Sequence, residues 1–148
     1  MLRILLLALP ICLFAQTQEL TPLEKEFQES LRDVVLEGQF TRDGKEGLSQ
    51  DKYTIEKVEK QSGDIWLFHT RIQYGGRDIK VPLPITIKWA GDTPVISVTD
   101  QSFAGQGPYS ARVVLYRGQY AGTWGNKGGG GKMFGRILKQ EVVPPPKP

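Results

Sequence analysis

The residues able to carry chemistry in this 148-residue chain are few and widely spaced. His69 is the single histidine, so a Ser–His relay or a His-ligated metal would rest on it alone. Strand parity puts it with Ile65, Leu67 and Arg71, opposite Trp66 and Phe68, which reads as a structural or surface position. Gly47-Leu48-Ser49-Gln50-Asp51 begins like a nucleophile elbow. It lacks the closing glycine and lies in a polar loop, which leaves Ser49 in solvent. The run Gly125-Asn126-Lys127-Gly128-Gly129-Gly130-Gly131-Lys132 resembles a phosphate loop at first sight. Asn126 stands where the first glycine belongs, Met133 replaces the metal-binding Ser/Thr, and no helix follows to aim its N-terminus at a phosphate. A long flexible hairpin loop between the last two strands fits better. Such a loop can flank a binding mouth, because glycine lets a backbone approach closely.

The acids Asp43, Asp64, Asp78, Asp92 and Asp100 fall at turns, where the Asp side chain bonds nearby backbone N–H groups. A hydrolase pair would have to be assembled from such residues in space, which spacing along the chain does not reveal. No catalytic residue, metal ligand or cofactor is assigned. The aromatics Trp66, Phe68, Tyr74, Trp89, Tyr109, Tyr120 and Trp124 fall mainly on faces expected to point inward. They fill a core or, alternatively, line a cavity for a small apolar ligand. The candidate ligand-binding set is Trp66, Phe68, Tyr74, Trp89, Tyr109 and Trp124, with Arg112 and Arg136 placing charge at the mouth.

These side chains need a scaffold, and the pattern supplies one. Thr21-Pro22-Leu23-Glu24 has the chemistry of a helix start: a capping hydroxyl, proline in the first turn and a glutamate to close a capping box. Leu23, Phe27 and Leu31 then form a stripe at spacing four on a helix of about ten residues. Packing on the outside of the β domain is its expected place, with a lid over the domain's mouth as the alternative.

From Val34 the period changes to two. Strands are expected at Val34–Phe40, Lys52–Lys60, Ile65–Tyr74, Ile79–Trp89, Val95–Asp100, Tyr109–Tyr116, Tyr120–Trp124 and Lys132–Ile137. A change of parity between Ile55 and Val58 predicts a bulge. In the fourth strand, Ile79, Val81, Leu83, Ile85, Ile87 and Trp89 alternate with polar residues and prolines. Pro82 and Pro84 have no N–H to offer the same lateral edge, so that edge must be unpaired locally. Turn signals every 8–14 residues or so, with no helix between them, predict an antiparallel meander of about eight strands. Closure into a barrel removes its edges, and a two-sheet sandwich meets the same pattern.

Arg3 followed by the apolar run Ile4–Phe14 matches a secretory signal. The run is shorter than the roughly 20 residues that span a bilayer. Cleavage after Ala15 is expected. Cys12 sits in a poor lipoprotein context because Ile11 is bulky beside it, and cleavage removes this only cysteine. The domain plan is a signal peptide at 1–15, a helix segment at 16–33, a β-barrel at 34–140 and a Pro-rich tail at 141–148. One core suffices for a chain of this length, and the secreted or periplasmic product is expected to be a monomer. Net charge is +3, with lysines and arginines read as interspersed with acids. That argues against nucleic acid and leaves room for weak association with an anionic envelope surface.

The segment Tyr120-Ala121-Gly122-Thr123-Trp124, followed by Gly130-Gly131-Lys132-Met133-Phe134-Gly135-Arg136-Ile137, resembles the ending of a group of small exported bacterial proteins of planctomycete type. Asp64–Phe68, Val81–Pro84 and Trp89–Ile96 are similar to their middle. The resemblance implies export and brings no activity with it. The Gly122-Thr123-Trp124 element also resembles that of calycins, the lipocalin-like barrels. There it lies near the first strand, and here near the last, so no binding residue transfers. The expected function is a secreted or periplasmic barrel that binds a small ligand. A non-enzymatic envelope-associated structural or interaction module is the second reading, and a hydrolase with an unrecognised carboxylate site the third.

Overall fold

Local chemistry sets the first element. In the computed structural model, which describes residues 19–140, helix α1 (Pro22–Ser30) starts where the capping residues predict. The Thr21 hydroxyl accepts the Glu24 N–H at 3.3 Å, and the Glu24 carboxylate accepts the Thr21 N–H at 2.9 Å. Two otherwise orphaned donors are thereby satisfied. The expected signal peptide and Pro-rich tail lie outside the described residues.

The period-two segments form eight strands: β1 (Val34–Phe40), β2 (Ser49–Ser62), β3 (Ile65–Tyr74), β4 (Arg77–Ala90), β5 (Thr93–Phe103), β6 (Gln106–Tyr116), β7 (Gln119–Asn126) and β8 (Gly129–Lys139). Each pairs antiparallel with the next, and β8 returns to β1 from Val34↔Lys139 to Phe40↔Met133. The sheet is a closed up-and-down barrel, so the sandwich alternative is excluded. Its inward faces bury one cluster that includes Leu36, Ile55, Trp66, Phe68, Ile72, Ile87, Val113 and Tyr120. The expected bulge falls at Glu56, where the register steps from Ile55↔Thr70 to Lys57↔His69. It keeps both Ile55 and Val58 inside.

The prolines of β4 act as their chemistry requires. Along Arg77–Thr86 this strand pairs with β3, but it meets β5 only between Ile87↔Ile96 and Ala90↔Thr93. Pro82 and Pro84 lie in the stretch without a β5 partner. The Pro84 carbonyl instead accepts the side-chain amide of Gln101 at 2.7 Å. Past that point the wall splits, and an Arg77–Gln106 side-chain hydrogen bond spans the split from the start of β4 to the start of β6.

Two expectations are corrected. The glycine run is not a long loop: only Lys127-Gly128 turns the chain, and Gly129–Gly131 belong to β8. Gly129 is needed for its positive φ of 129°, whereas at Gly130 and Gly131 glycine is needed for contact. A Cβ on Gly131 would collide with the Thr41 backbone, and one on Gly130 with the Trp124 carbonyl. Their absence lets residues after β1 lie along β8, with Thr41 N–H donating to Lys132 O at 2.9 Å and Asp43 N–H to Gly130 O at 2.8 Å.

Nor does α1 pack on the outer wall. Phe27 lies edge-on to Trp66 at 5.0 Å and to Trp89 at 5.6 Å, and it also meets the Phe68 ring. All three belong to the barrel's inward faces. With Leu31 also buried, α1 plugs one end of the barrel. Burial of two such side chains stabilises by about 1.5–3 kcal/mol each, more than a helix of this length supplies alone. The Lys60–Glu24 ion pair ties the plug to β2, and Lys139 Nζ donates to the Arg32 carbonyl at 2.9 Å just beyond the helix.

Candidate functional site

Because α1 closes one end, the opposite end of the barrel is the entrance. The turns and loops gathered there are residues 41–48, Gly75-Gly76, Ala104-Gly105 and Lys127-Gly128. Behind them lies a cavity of about 640 Å³. Its wall is mostly apolar: Leu36, Ile55, Phe68, Ile72, Leu83, Val98, Val113 and Met133 come from seven strands. Phe40 and Trp124 meet edge-on at 5.8 Å, and Phe103 stacks on Tyr109 at 5.4 Å. The Trp124 indole N–H donates to Thr41 O at 3.2 Å, which fixes the ring beside the mouth. Arg42, Asp43, Lys45 and Arg77 supply charge at the rim.

Polarity inside the cavity comes from four tyrosines together with Thr70, Ser110 and Asn126. Tyr53, Tyr74, Tyr109 and Tyr120 all line it. Tyr120 donates to Asp51 Oδ1 at 2.8 Å and Tyr53 to Asp51 Oδ2 at 3.2 Å. Asp51 is only 4% exposed. Burial pushes its carboxyl above the usual carboxylate range, and the two hydroxyl hydrogen bonds offset only part of that. Burial, reinforced by the neighbouring Asp51, also drives the Tyr120 phenol far upward, so it stays a donor. Tyr74 differs from these. Its hydroxyl is buried, makes no hydrogen bond of good geometry among the described residues, and lies beside the Tyr109 hydroxyl, which it pushes above the usual phenol range.

One lateral row positions this set. Tyr120 pairs with Gly135, Gly135 with Gly38, Gly38 with Asp51, Asp51 with Tyr74, and Tyr74 with Arg77. Two glycines in the middle leave room for the Tyr120 side chain to reach across β8 and β1 to β2. A Cβ on Gly38 would strike the Tyr120 hydroxyl, and one on Gly135 would strike its ring.

The sequence-predicted residues divide. Phe68, Tyr74, Tyr109 and Trp124 line the cavity. Trp66 is buried against the plug, at 1% exposure. Trp89 faces a smaller space of about 360 Å³ beside α1. Arg112 and Arg136 are not at the mouth. Both side chains point out from the wall, because Val113 and Ile137 take the inward positions of β6 and β8. Arg112 donates to Val98 O and to the Thr99 hydroxyl.

His69 stands on the outer wall, 2.8 Å from Glu59. Asp64 and Asp78 pair with Lys88 and Arg71 on the outside. Among the described residues, no group of three His, Cys, Asp or Glu side chains is placed to hold a metal ion. Asp51, Tyr53 and Tyr120 were absent from the predicted set. The signal for Asp51 is its parity with Tyr53 and Ile55, hidden because the expected strand begins only at Lys52, whereas β2 starts at Ser49. No family model, curated protein or solved structure matches the chain, so the site is read from its own chemistry.

Proposed function

We propose that this chain is an exported ligand-binding barrel whose cavity holds one small, largely apolar molecule with a polar group. The observation that carries the reading is the pairing of an apolar cavity of about 640 Å³ with the buried hydroxyl of Tyr74, which lies beside Tyr109 but makes no hydrogen bond of good geometry among the described residues. Cavities that hold small molecules run to roughly 300–1,000 Å³ and combine apolar walls with a few polar groups. Buried hydroxyls are normally hydrogen-bonded, and an isolated one is a reason to look for a partner. Tyr74 therefore offers one donor or acceptor to a ligand whose body lies against Phe68, Phe103 and Trp124. Asp51 suits a supporting role, since Tyr53 and Tyr120 already occupy both its oxygens. Export rests on Arg3 and the apolar run Ile4–Phe14.

Titration with a dye that fluoresces in apolar surroundings tests the reading. The unaltered chain should bind it saturably. Val98→Trp, which fills the cavity, should abolish binding while leaving the far-ultraviolet circular dichroism unchanged. Equal dye binding by both proteins would place the dye elsewhere and remove the support.

A further inference from the structure

The barrel's two walls differ in charge. From Gln106 to Lys139 the chain holds Arg112, Arg117, Lys127, Lys132, Arg136 and Lys139, and all 16 of its Asp and Glu residues lie outside that span. The expected interspersion of charges therefore fails for β6–β8. On the opposite wall the cations are neutralised: Lys57 pairs with Glu59, Arg71 with Asp78, Lys80 with Glu56 and Lys88 with Asp64. Arg112, Lys132 and Arg136 make no ion pair among the described residues.

Those three cations flank an apolar row. Val114 of β6 pairs with Ala121 of β7, and Ala121 with Phe134 of β8. One register step to one side lie Arg112 and Lys132, and one step to the other lie Tyr116 and Arg136. Val114 is 41% exposed, Phe134 44% and Tyr116 53%, although such side chains normally turn inward. Among the described residues, no other element covers them. The wall is convex, as the outside of a barrel must be, so it offers no groove to grip a folded partner.

We propose that the outer wall of β6–β8 docks on the surface of an anionic phospholipid bilayer. Phe134, Val114 and Tyr116 enter the interfacial layer, while Arg112, Lys132 and Arg136 meet lipid phosphates. Charge complementarity selects this occupant. A two-fold pairing of this wall with a second copy would set like charges face to face, whereas an anionic bilayer attracts every cation on it. The neutralised, ion-paired wall on the other side makes the barrel lie on a membrane rather than span one, since a spanning barrel needs an apolar band all round.

The test is a pair of reporter positions in the full chain, with Cys12→Ser removing the native thiol. An environment-sensitive fluorophore is attached through Ala121→Cys on the docking wall or through Lys80→Cys on the opposite wall. With vesicles rich in phosphatidylglycerol, the probe at 121 should report an apolar environment and the probe at 80 should not. Pure phosphatidylcholine should give far less, and added salt should reverse the shift. Replacing Arg112, Lys132 and Arg136 together by Gln should weaken partitioning about a hundredfold, at about fivefold per cation, and Lys at 112 and 136 should restore it.

Because the N-terminal apolar run is identical in every variant, it cannot produce a difference between positions 121 and 80. An equal response at both positions would overturn the proposal. So would a shift that grows with protein concentration without vesicles, which marks self-association, or an equal shift with a soluble polyanion. Dye binding in the cavity is independent of this wall and should be unchanged in the Gln variant.

Discussion

Tyr120 on β7 donates its hydroxyl to Asp51 on β2 at 2.8 Å, although two strands lie between them. The contact exists because the intervening positions, Gly135 and Gly38, carry no side chain. It ties the strands on either side of the β1–β8 closure to each other. Tyr120→Phe removes one of Asp51's two hydroxyl donors inside the wall. An under-satisfied buried carboxylate costs about 1–3 kcal/mol, and the urea midpoint should fall accordingly. An unchanged midpoint would show that the contact holds nothing together.

Gly38→Ala places a methyl group where the Tyr120 hydroxyl and the Phe134 carbonyl already are. Overpacking typically costs about 1–3 kcal/mol, and more when one of the clashing partners is backbone. The variant should lose more stability than Tyr120→Phe, measured by the same urea titration. Gly44, in the open loop after β1, has nothing within 4 Å of an added Cβ and serves as the contrast, with strain from its positive φ alone.

The carboxyl of Asp51 titrates above its ordinary value in the fold, so the native state holds that proton more tightly than the unfolded chain. Its contribution is most favourable at low pH and is lost as pH rises through the folded value. Glu24 runs the other way. Burial pushes its carboxyl up, but hydrogen bonds from Lys60 and Thr21 outweigh that and hold it below the usual range, so its stabilisation disappears in acid. Comparison with Asp51→Asn isolates the first effect. Between neutral and acid pH, the stability difference should move in favour of the unaltered protein, and movement in the opposite direction would refute the assignment.

Phe27 carries the plug. Phe27→Ala should cost about 3–5 kcal/mol, because Trp66 and Trp89 lose the ring packed between them. Thr21→Ala removes only a cap and should cost about 1 kcal/mol. Thermal unfolding of both variants checks the ratio. Similar losses would mean that α1 is held by its own caps rather than by the barrel.

Most of this architecture was legible in the sequence because strand alternation and helix capping are local. Thr21, Pro22 and Glu24 mark the helix start, and Pro82 with Pro84 mark the split between β4 and β5. What was not legible depends on partners far away in the chain. Nothing local says that Phe27 meets Trp66 and Trp89, or that Thr41 crosses Gly131. Asp51 falls one residue before the expected strand Lys52–Lys60, and its partner Tyr120 lies 69 positions on. Arg112 and Arg136 were assigned to the mouth by charge, although alternation with Val113 and Ile137 already turned them outward.

Amide exchange should show the split directly. Even-numbered residues of β4 turn their N–H groups toward β5 and odd-numbered ones toward β3, as the Ile87 N–H to Asp64 O bond of 2.8 Å indicates. The Lys80 amide should therefore exchange much faster than those of Val81, Leu83 and Ile85. Equal protection along the strand would mean that β4 and β5 are paired throughout.

The central claim is that the cavity holds a small molecule. Native mass spectrometry of protein isolated from its own source organism, beside Val98→Trp expressed there in the same way, tests it most directly. The account predicts a discrete added mass on the unaltered protein, released on unfolding and missing from the cavity-filled variant. Repeated preparations without added mass, or the same added mass on both proteins, would contradict it.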